Sequence, residues 1–527
     1  MIPTDEQRAA TEAFQHNRLL KITAFAGAGK TTTLQLLAET SSERGLYLAF
    51  NRQIALHAQK RFKTVDCRTT HSLAWRAIQA KRDYSVEKMQ GKMSPAALAD
   101  LLKLEDFKIS GNVTLTPIQH AHLLARTVAR FCQSADDEVC PNHVPHYQRI
   151  EKLPPALLAS TRQYAAERAA DLWNRMTHPE DPIALGHDGY LKLWALGKPR
   201  LPFNYVLLDE AQDTNPVILE TLRAQDCRLV VVGDPWQMIY EFRNALNAMK
   251  ALKGGANTYL TQSFRFGDAL ASEASKVLST LGERRTLRGN PALTTEILPV
   301  EEGAPDCVLA RTNASVMAET IAALAAGKSP YILGGTFELK RMLIDVTALK
   351  SGRAAMSPDL FGFKDWDTVT GFAGSEEGQD LTAFVKLVSE HGEDALTQAI
   401  ANTAASPGQA QITIGTAHKA KGCEWNSVRL CRDFLTQPVL TRKSSADPEI
   451  RLFYVAMTRA KQALSVDPEM MAIFTGDKRS TDASSVPPPQ QTSASHVSTH
   501  TEAPKPEPKP DFMNTLFNKA ARRRANE

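Results

Sequence analysis

The chain has 527 residues, 43% apolar and 23% charged, with a formal net charge of +4 at neutral pH; it is too long for one ordinary core and implies roughly two to four soluble globular domains. No apolar run reaches membrane-spanning length, no signal-peptide pattern opens the chain, and so mild a basicity confines any nucleic-acid surface to a local groove. Seven scattered cysteines argue against a disulfide framework and for a reducing compartment, so a cytoplasmic location is expected.

Residues 18–23 (RLLKIT) form a short apolar, partly β-branched run that predicts a strand, and TTTLQLLAET after Lys30 suits a helix. Between them lies AFAGAGK, the tail of a phosphate-binding loop whose opening glycine is replaced by Ala24. Backbone N–H groups over Ala26, Gly27, Ala28 and Gly29, with the helix N-terminus, form a positive cradle for polyphosphate. Gly27 and Gly29 give the wrap its backbone freedom. Lys30 reaches the β- and γ-phosphates, and Thr31 offers a hydroxyl to Mg²⁺. Alanine at 24 removes little, because that residue sits where strand meets loop.

From 76 to 199 the pattern is helical, as in LTPIQHAHLLARTVARF and PPALLASTRQYAAERAADLWNRM. Cys132, Cys140, His143 and His146 fall in this part. Their spacing matches no common zinc finger. They read as a helix end with a buried cysteine followed by an exposed loop with two histidines, zinc ligation being the sharper alternative. FNYVLLDEAQD at 203–213 is an apolar strand ending in paired acids. Asp209 suits a water-mediated hold on Mg²⁺, and Glu210 suits polarising an attacking water. RLVVVGDPWQMIY at 228–240 is a further strand with a polar end, and CVLAR, YILGG, QITIG and ALSV predict more. Strands that deliver phosphate-active side chains at their C-terminal ends are how open α/β sheets build sites. After 475 the Ser/Pro/Thr-rich sequence cannot bury a core.

Together these blocks resemble a known family. TDEQ, AFAGAGKT, YLAFNRQIA, CRTTHSLAW, LLDEAQD, VVGDPWQMIYEFRNA, LTQSFRF, ITIGTAHKAKGCEW and RLFYVAMTRAKQAL follow the order found in superfamily 1 DNA helicases of the UvrD/Rep type, and HDGYLKLWAL at 187–196 is a further stretch that resembles the F-box helicase branch. The chain is most similar to the F-box DNA helicase branch and its bacterial relatives, without an F-box, over about residues 4–468. The resemblance implies that Gln7 reads adenine, that Phe264 stacks on it, and that Glu424 lies near the ribose. Thr32 stands where many members carry an arginine for the other face of the base. Gln237 would sense the γ-phosphate, with Arg265 and Arg459 touching it. Phe50, Asn51, Thr70, His71, Tyr240, Phe242, Thr416 and His418 would grip single-stranded DNA by stacking and backbone contact.

The implied architecture is α/β, with two RecA-like parallel-sheet motor cores. Residues 1–75 and 200–265 would form the ATP-binding core, with a helical insertion at 76–199. Residues 266–345 and 406–470 would form the second core, with a reduced insertion at 346–405. A disordered linker at 476–510 and a short basic amphipathic segment at 511–527, which could bind a protein partner, would follow. The implied function is an ATP- and Mg²⁺-dependent, nucleoid-associated 3′-to-5′ translocase on single-stranded DNA that unwinds duplex at junctions. Two alternatives stand beside it: a DNA-dependent ATPase that strips proteins or recombinase filaments with little unwinding, and a non-catalytic ATP-switched binding module.

Overall fold

The structure is a computed structural model describing residues 2–474 apart from Phe50, 82–83, Lys92, 111–112, Lys152, 241–245, 358–359, 361–362, 375–378 and 436–442. The expected positions Phe50 and Phe242, and the C-terminal segments beyond 474, lie outside the described residues.

Three strands come first: β1 (Leu19–Ala24), β2 (Gly45–Ala49) and β3 (Val65–Thr69). A two-stranded antiparallel hairpin, β4 (Phe107–Ser110) and β5 (Val113–Leu115), follows among helices. Then β6 (Tyr205–Leu208), β7 (Arg228–Gly233) and β8 (Ala256–Leu260) complete a six-stranded sheet in the order β3-β2-β6-β7-β1-β8. Its pairings are all parallel. Because helices cover both faces, β2 and β6 read as unbroken apolar runs, buried at every position. The order separates β1 from β2 by β6 and β7, so the loops leaving β1, β6 and β7 open into one crevice at the strands' C-terminal ends.

A second parallel sheet contains β9 (Glu296–Leu298), β10 (Cys307–Ala310), β11 (Pro330–Ile332), β12 (Ile412–Thr416), β13 (Trp425–Leu430) and β14 (Ala460–Ser465), ordered β11-β12-β10-β13-β14-β9. The mixed α/β class with two parallel sheets is the one the sequence predicts.

Between β3 and β6 the long helices Pro117–Gln133 and Pro155–Thr177 form a helical layer with Thr70–Lys81 and Gly186–Leu196. The first of these starts at a reciprocal cap between Thr116 and Gln119, with Pro117 in the first turn. Its buried stripe runs through His120, Leu123, Leu124, Thr127, Val128 and Phe131, at three-to-four-residue spacing. The hairpin β4–β5 departs from the all-helical expectation. FKIS and VTL are short, β-branched runs around a Gly-Asn pair, too brief to show against the surrounding helical pattern.

The helices Phe337–Lys350, Trp366–Ala373, Gln379–His391 and Glu393–Ala401 cover one face of the second sheet. Met342, Val369, Phe384 and Leu396 share a single apolar cluster with Val308 of β10 and Ile414 of β12. Another cluster crosses between the sheets. Phe25 and Ala26, from the loop after β1, are buried with Phe266, Leu270, Phe453 and Tyr454.

Candidate functional site

Ala24 is the last residue of β1, so the position that lacks the usual glycine lies in extended backbone, where glycine has no advantage. The loop that follows uses its two glycines in the left-handed region, Gly27 at φ 72° and Gly29 at φ 78°. At Gly27 a Cβ would also stand 2.4 Å from Ser263 Oγ and 2.8 Å from Arg265 Cβ, so space as well as dihedral demands glycine. Helix Lys30–Glu39 starts at the loop's end and aims its free N–H groups into the crevice.

Lys30 Nζ lies 3.1 Å from Glu210 Oε1. Thr31 Oγ1 donates to Asp209 Oδ2 at 3.4 Å, and Tyr47 OH donates to the same oxygen at 2.6 Å. Glu210 takes φ 52°, a left-handed conformation rare outside glycine, which turns its carboxylate toward Lys30. Burial and the neighbouring Glu210 push the Asp209 pKa up, with Lys30 opposing. For Glu210 burial works the same way, but Lys30 and Lys421 outweigh it and hold the carboxyl below its ordinary range. Lys30 is raised: burial alone would lower it, and Glu210, Asp209 and Asp234 more than compensate. The pair Lys30–Glu210 is therefore charged on both sides.

The opposite wall of this cleft, whose volume is about 1090 Å³, comes from the second sheet and the segment after β8. Arg265 donates to Glu424 Oε2 at 2.7 Å and to the Thr458 carbonyl at 2.9 Å. Arg459 is 2% exposed and reaches across to Gln237 Oε1 with Nη2, at 3.3 Å. Phe264 stands 45% exposed beside Gly29, with its ring 3.4 Å from where a Cβ would be. Gln7 is buried next to it, its Oε1 accepting from Thr4 N–H and its Nε2 donating to Thr33 Oγ1. Thr32 accepts from Arg61 Nη2 at 3.2 Å, and Arg61 lines the same cleft, supplying a guanidinium beside the position where the resembling family carries its own. The Ala26 N–H is taken by Tyr454 OH at 3.1 Å, while Ala28 lines the cleft.

Five residues that sequence reasoning passed over, Tyr47, Asp213, Asp234, Lys421 and Tyr454, are part of this arrangement. Tyr47, on β2, braces Asp209. Lys421 forms a buried ion pair with Asp213 and donates to the Gln237 carbonyl at 2.6 Å. Both belong to blocks already singled out, LLDEAQD and AHKAKGCEW, but nothing in either block says that they meet. Asp234 accepts from Gln237 Nε2 at 2.8 Å and from Tyr454 OH at 3.1 Å.

Of the residues expected to hold single-stranded DNA, six are described, most of them just beyond the ends of strands. Asn51 follows β2, exposed, and caps helix Arg52–Arg61 through Ile54 N–H. Thr70 and His71 follow β3; Thr70 is buried, and His71 Nε2 is 3.6 Å from Asp188 Oδ1 of the HDGY stretch. Thr416 is buried and caps the turn of helix Ala417–Ala420. Tyr240 and His418 are brought together from different sheets, with Tyr240 OH donating to the His418 carbonyl at 2.9 Å and ring centroids 6.3 Å apart.

The cysteine–histidine stretch resolves differently. His146 is drawn to Glu151, at 3.2 Å, and to Arg162. Cys132 is buried in the helix Pro117–Gln133. Cys140 and His143 do converge, and Asp136 joins them, the three candidate ligand atoms lying within 4.8 Å of one another. His143 is buried rather than on an exposed loop. Its Nδ1 accepts from Cys140 N–H at 3.0 Å, which places the proton on Nε2, donated to Asp136 Oδ2 at 2.8 Å. Lys192 closes the knot on the Ser134 and Asp136 carbonyls. With both ring nitrogens committed, the imidazole ties the loop to its helix and has no lone pair left for a metal.

A phosphate-loop glycine pair after β1, with Arg265 on the segment after β8 and Arg459 reaching in from the second sheet's side, defines a P-loop fold of two parallel sheets around one cleft. The chain belongs to the UvrD-like superfamily 1 helicase family: the UvrD/REP helicase N-terminal domain matches residues 3–252 and the UvrD-like helicase C-terminal domain matches residues 369–467. It is 28% identical over 504 residues to F-box DNA helicase 1 of Gallus gallus, covering 87% of this chain and 48% of that protein. It is 29% identical over 510 residues to F-box DNA helicase protein 1 of Schizosaccharomyces pombe, covering 88% and 57%. DNA helicase IV of Escherichia coli matches at 26% over 321 residues, 49% of this chain and 45% of that one. The chain thus spans about half the length of these curated relatives.

Proposed function

We propose that the protein is an ATP-driven motor that moves 3′-to-5′ on single-stranded DNA and opens duplex at a junction. One observation carries this reading. Gln237, which faces Arg459 in the nucleotide cleft, and Tyr240, which meets His418 at the strand-end face, lie three residues apart on the segment after β7. A change at the γ-phosphate therefore moves the strand grip directly.

The chemistry follows from the residues in the cleft. Polyphosphate gives Lys30 a stronger anion than Glu210, so nucleotide entry frees that carboxylate. Ionised and aimed by its own backbone, Glu210 is then fit to take a proton from the attacking water. The Thr31 hydroxyl and the Asp209 carboxylate form an all-oxygen pair that suits a hard cation such as Mg²⁺, which when bound neutralises charge on the phosphate oxygens. Arg265 stands beside the phosphate loop on the segment after β8, whereas Arg459 comes from the second sheet's side, so Arg459 acts on the γ-phosphate only with the cores closed.

One feature supports the protein-stripping alternative. Helices Trp366–Ala373, Gln379–His391 and Glu393–Ala401 share one apolar core with the second sheet, leaving little of a separate arm to engage duplex among the described residues. ATPase activity with and without single-stranded DNA, beside strand displacement on 3′- and 5′-tailed duplexes, decides among the readings. Strong stimulation with preference for the 3′ tail is expected. Preference for the 5′ tail would overturn the polarity, stimulation without displacement would favour stripping, and no turnover would leave the switched binding module. Among the described residues no helix is long and apolar enough to cross a membrane.

A further inference from the structure

We propose that Tyr454 is a positioning residue for ATP hydrolysis: its hydroxyl, delivered from the second core, fixes the carboxylate of Asp234 and through it the amide of Gln237. The inference rests on the reading of this cleft as the hydrolysis site.

Tyr454 lies on helix Lys443–Met457 and has no exposed surface. A phenol buried that deeply is costly unless its oxygen is bonded. It is bonded twice, and both partners belong to the other core. The hydroxyl accepts from the Ala26 N–H of the phosphate loop at 3.1 Å and donates to Asp234 Oδ2 at 3.1 Å. Asp234 is itself fully buried just beyond β7. Its Oδ1 accepts from Trp236 N–H at 3.1 Å, and its Oδ2 also accepts from Gln237 Nε2 at 2.8 Å.

This donor–acceptor order decides which way the Gln237 amide points. With Nε2 committed to Asp234, Oε1 faces the cleft and accepts from Arg459 Nη2 at 3.3 Å. Tyr454 and Arg459 are five residues apart in one segment of the second core. That segment therefore grips the Asp234–Gln237 pair at both ends, the acid by a hydroxyl and the amide by a guanidinium. Phenylalanine at 454 would keep the shape and remove only the oxygen. Asp234 would lose one of its few donors inside a low-dielectric core, and Ala26 N–H would lose its acceptor. The amide of Gln237 could then turn, and its carbonyl would release Arg459 Nη2 part of the time, leaving that guanidinium less well aimed.

The test uses the full chain and the shape-preserving variant Tyr454→Phe. With saturating single-stranded DNA, kcat should fall about tenfold, the effect of one well-placed hydrogen bond on a barrier. KM for ATP and affinity for a non-hydrolysable ATP analogue should stay within about twofold of the parent, while the two lost buried hydrogen bonds lower the melting temperature by only a few degrees. In an Asp234→Asn background the same change should cost nothing further, because the hydroxyl acts through that carboxylate. Parental kcat in Tyr454→Phe would overturn the proposal. So would a fall in kcat accompanied by a matching loss in nucleotide affinity, which is what a merely structural hydroxyl would give. Full additivity with Asp234→Asn would overturn it as well. Failure of the underlying reading looks different: Lys30→Ala would then keep parental turnover.

Discussion

Replacing Arg459 by lysine separates two kinds of work done by one guanidinium. Within the second core it donates to the Val455 carbonyl at 2.8 Å, to Thr458 Oγ1 at 3.1 Å and to the Cys423 carbonyl at 3.3 Å. Across the cleft it donates once, to Gln237 Oε1 at 3.3 Å. Each of the first three contributes roughly 1 kcal/mol net, and an ammonium can retain about one of them, so the fold should lose about 2 kcal/mol. A protein with the usual margin of roughly 5–15 kcal/mol survives that. The fourth contact adds little to stability but aims the guanidinium at developing phosphate charge, where an arginine is worth on the order of 10³ or more in rate. Lysine lacks the planar fork that serves both duties at once. Arg459→Lys should therefore melt a few degrees lower, bind a fluorescent ATP analogue within a few-fold of the parent, and lose about 10³ in DNA-stimulated kcat. Steady-state ATPase, nucleotide titration and thermal melting on one preparation measure all three. Turnover within about threefold of the parent, alongside the lowered melt, would refute the reasoning and leave Arg459 as a helix cap on Val455.

Glu210→Gln should still bind ATP while turnover drops on the order of 10²-fold or more, measured by nucleotide titration and phosphate release. Tyr240→Ala should weaken single-strand binding by roughly 1–3 kcal/mol in an anisotropy titration, with ATP affinity in the absence of DNA unchanged. Burial holds the Asp213 pKa up at about 6 against the pull of Lys421. DNA-stimulated turnover should thus decline as pH falls through 6 and the ion pair loses a charge, and Asp213→Asn should lack that inflection. The fold itself should gain stability over the same interval, because the native acid takes up its proton above the roughly 3.9 of an unfolded chain, so melts at each pH distinguish lost coupling from unfolding. Gly233→Ala would put a Cβ 2.3 Å from Gln212 Oε1 and 3.1 Å from its backbone nitrogen; displaced DEAQD residues should lower both the melting temperature and turnover.

What could be read in advance depended on how far apart the partners lie in the chain. The loop Phe25–Gly29 with Lys30 and Thr31 is legible because one short segment makes the whole cradle, so its chemistry dictates its spacing. Asp209 and Glu210 are legible for the same reason, at the end of an unbroken apolar strand. Lys421 and Asp213 are 208 residues apart and Tyr454 and Ala26 are 428 apart, and no local pattern records such pairings. Tyr454 looks like one more apolar residue in a buried helix until its oxygen is seen between two groups of the other core. β8 and β13, in ANTYL and WNSVRL, carry too little continuous apolar sequence to stand out, although β8 pairs with β1 itself. The burial of His143 was hidden by a polar surrounding sequence: its ring packs edge-on against Phe131, while Lys192 on a different helix holds the Ser134 and Asp136 carbonyls of the loop.

Phe25 sets a limit on how this machine can be divided. Its ring is 1% exposed, and much of what covers it, Phe266, Leu270 and Phe453, is supplied after residue 265. A fragment holding only the first sheet would keep the glycines and the lysine but carry an uncovered phenylalanine at the root of the loop, next to helix Lys30–Glu39. Such a half should be sticky and poor at holding nucleotide, and should recover when mixed with its missing half, as a split reporter does. The same anchorage restricts the stroke. An opening hinged at Phe25 would keep its ring covered, whereas full separation of the two sheets would wet it at a cost of roughly 1.5–3 kcal/mol.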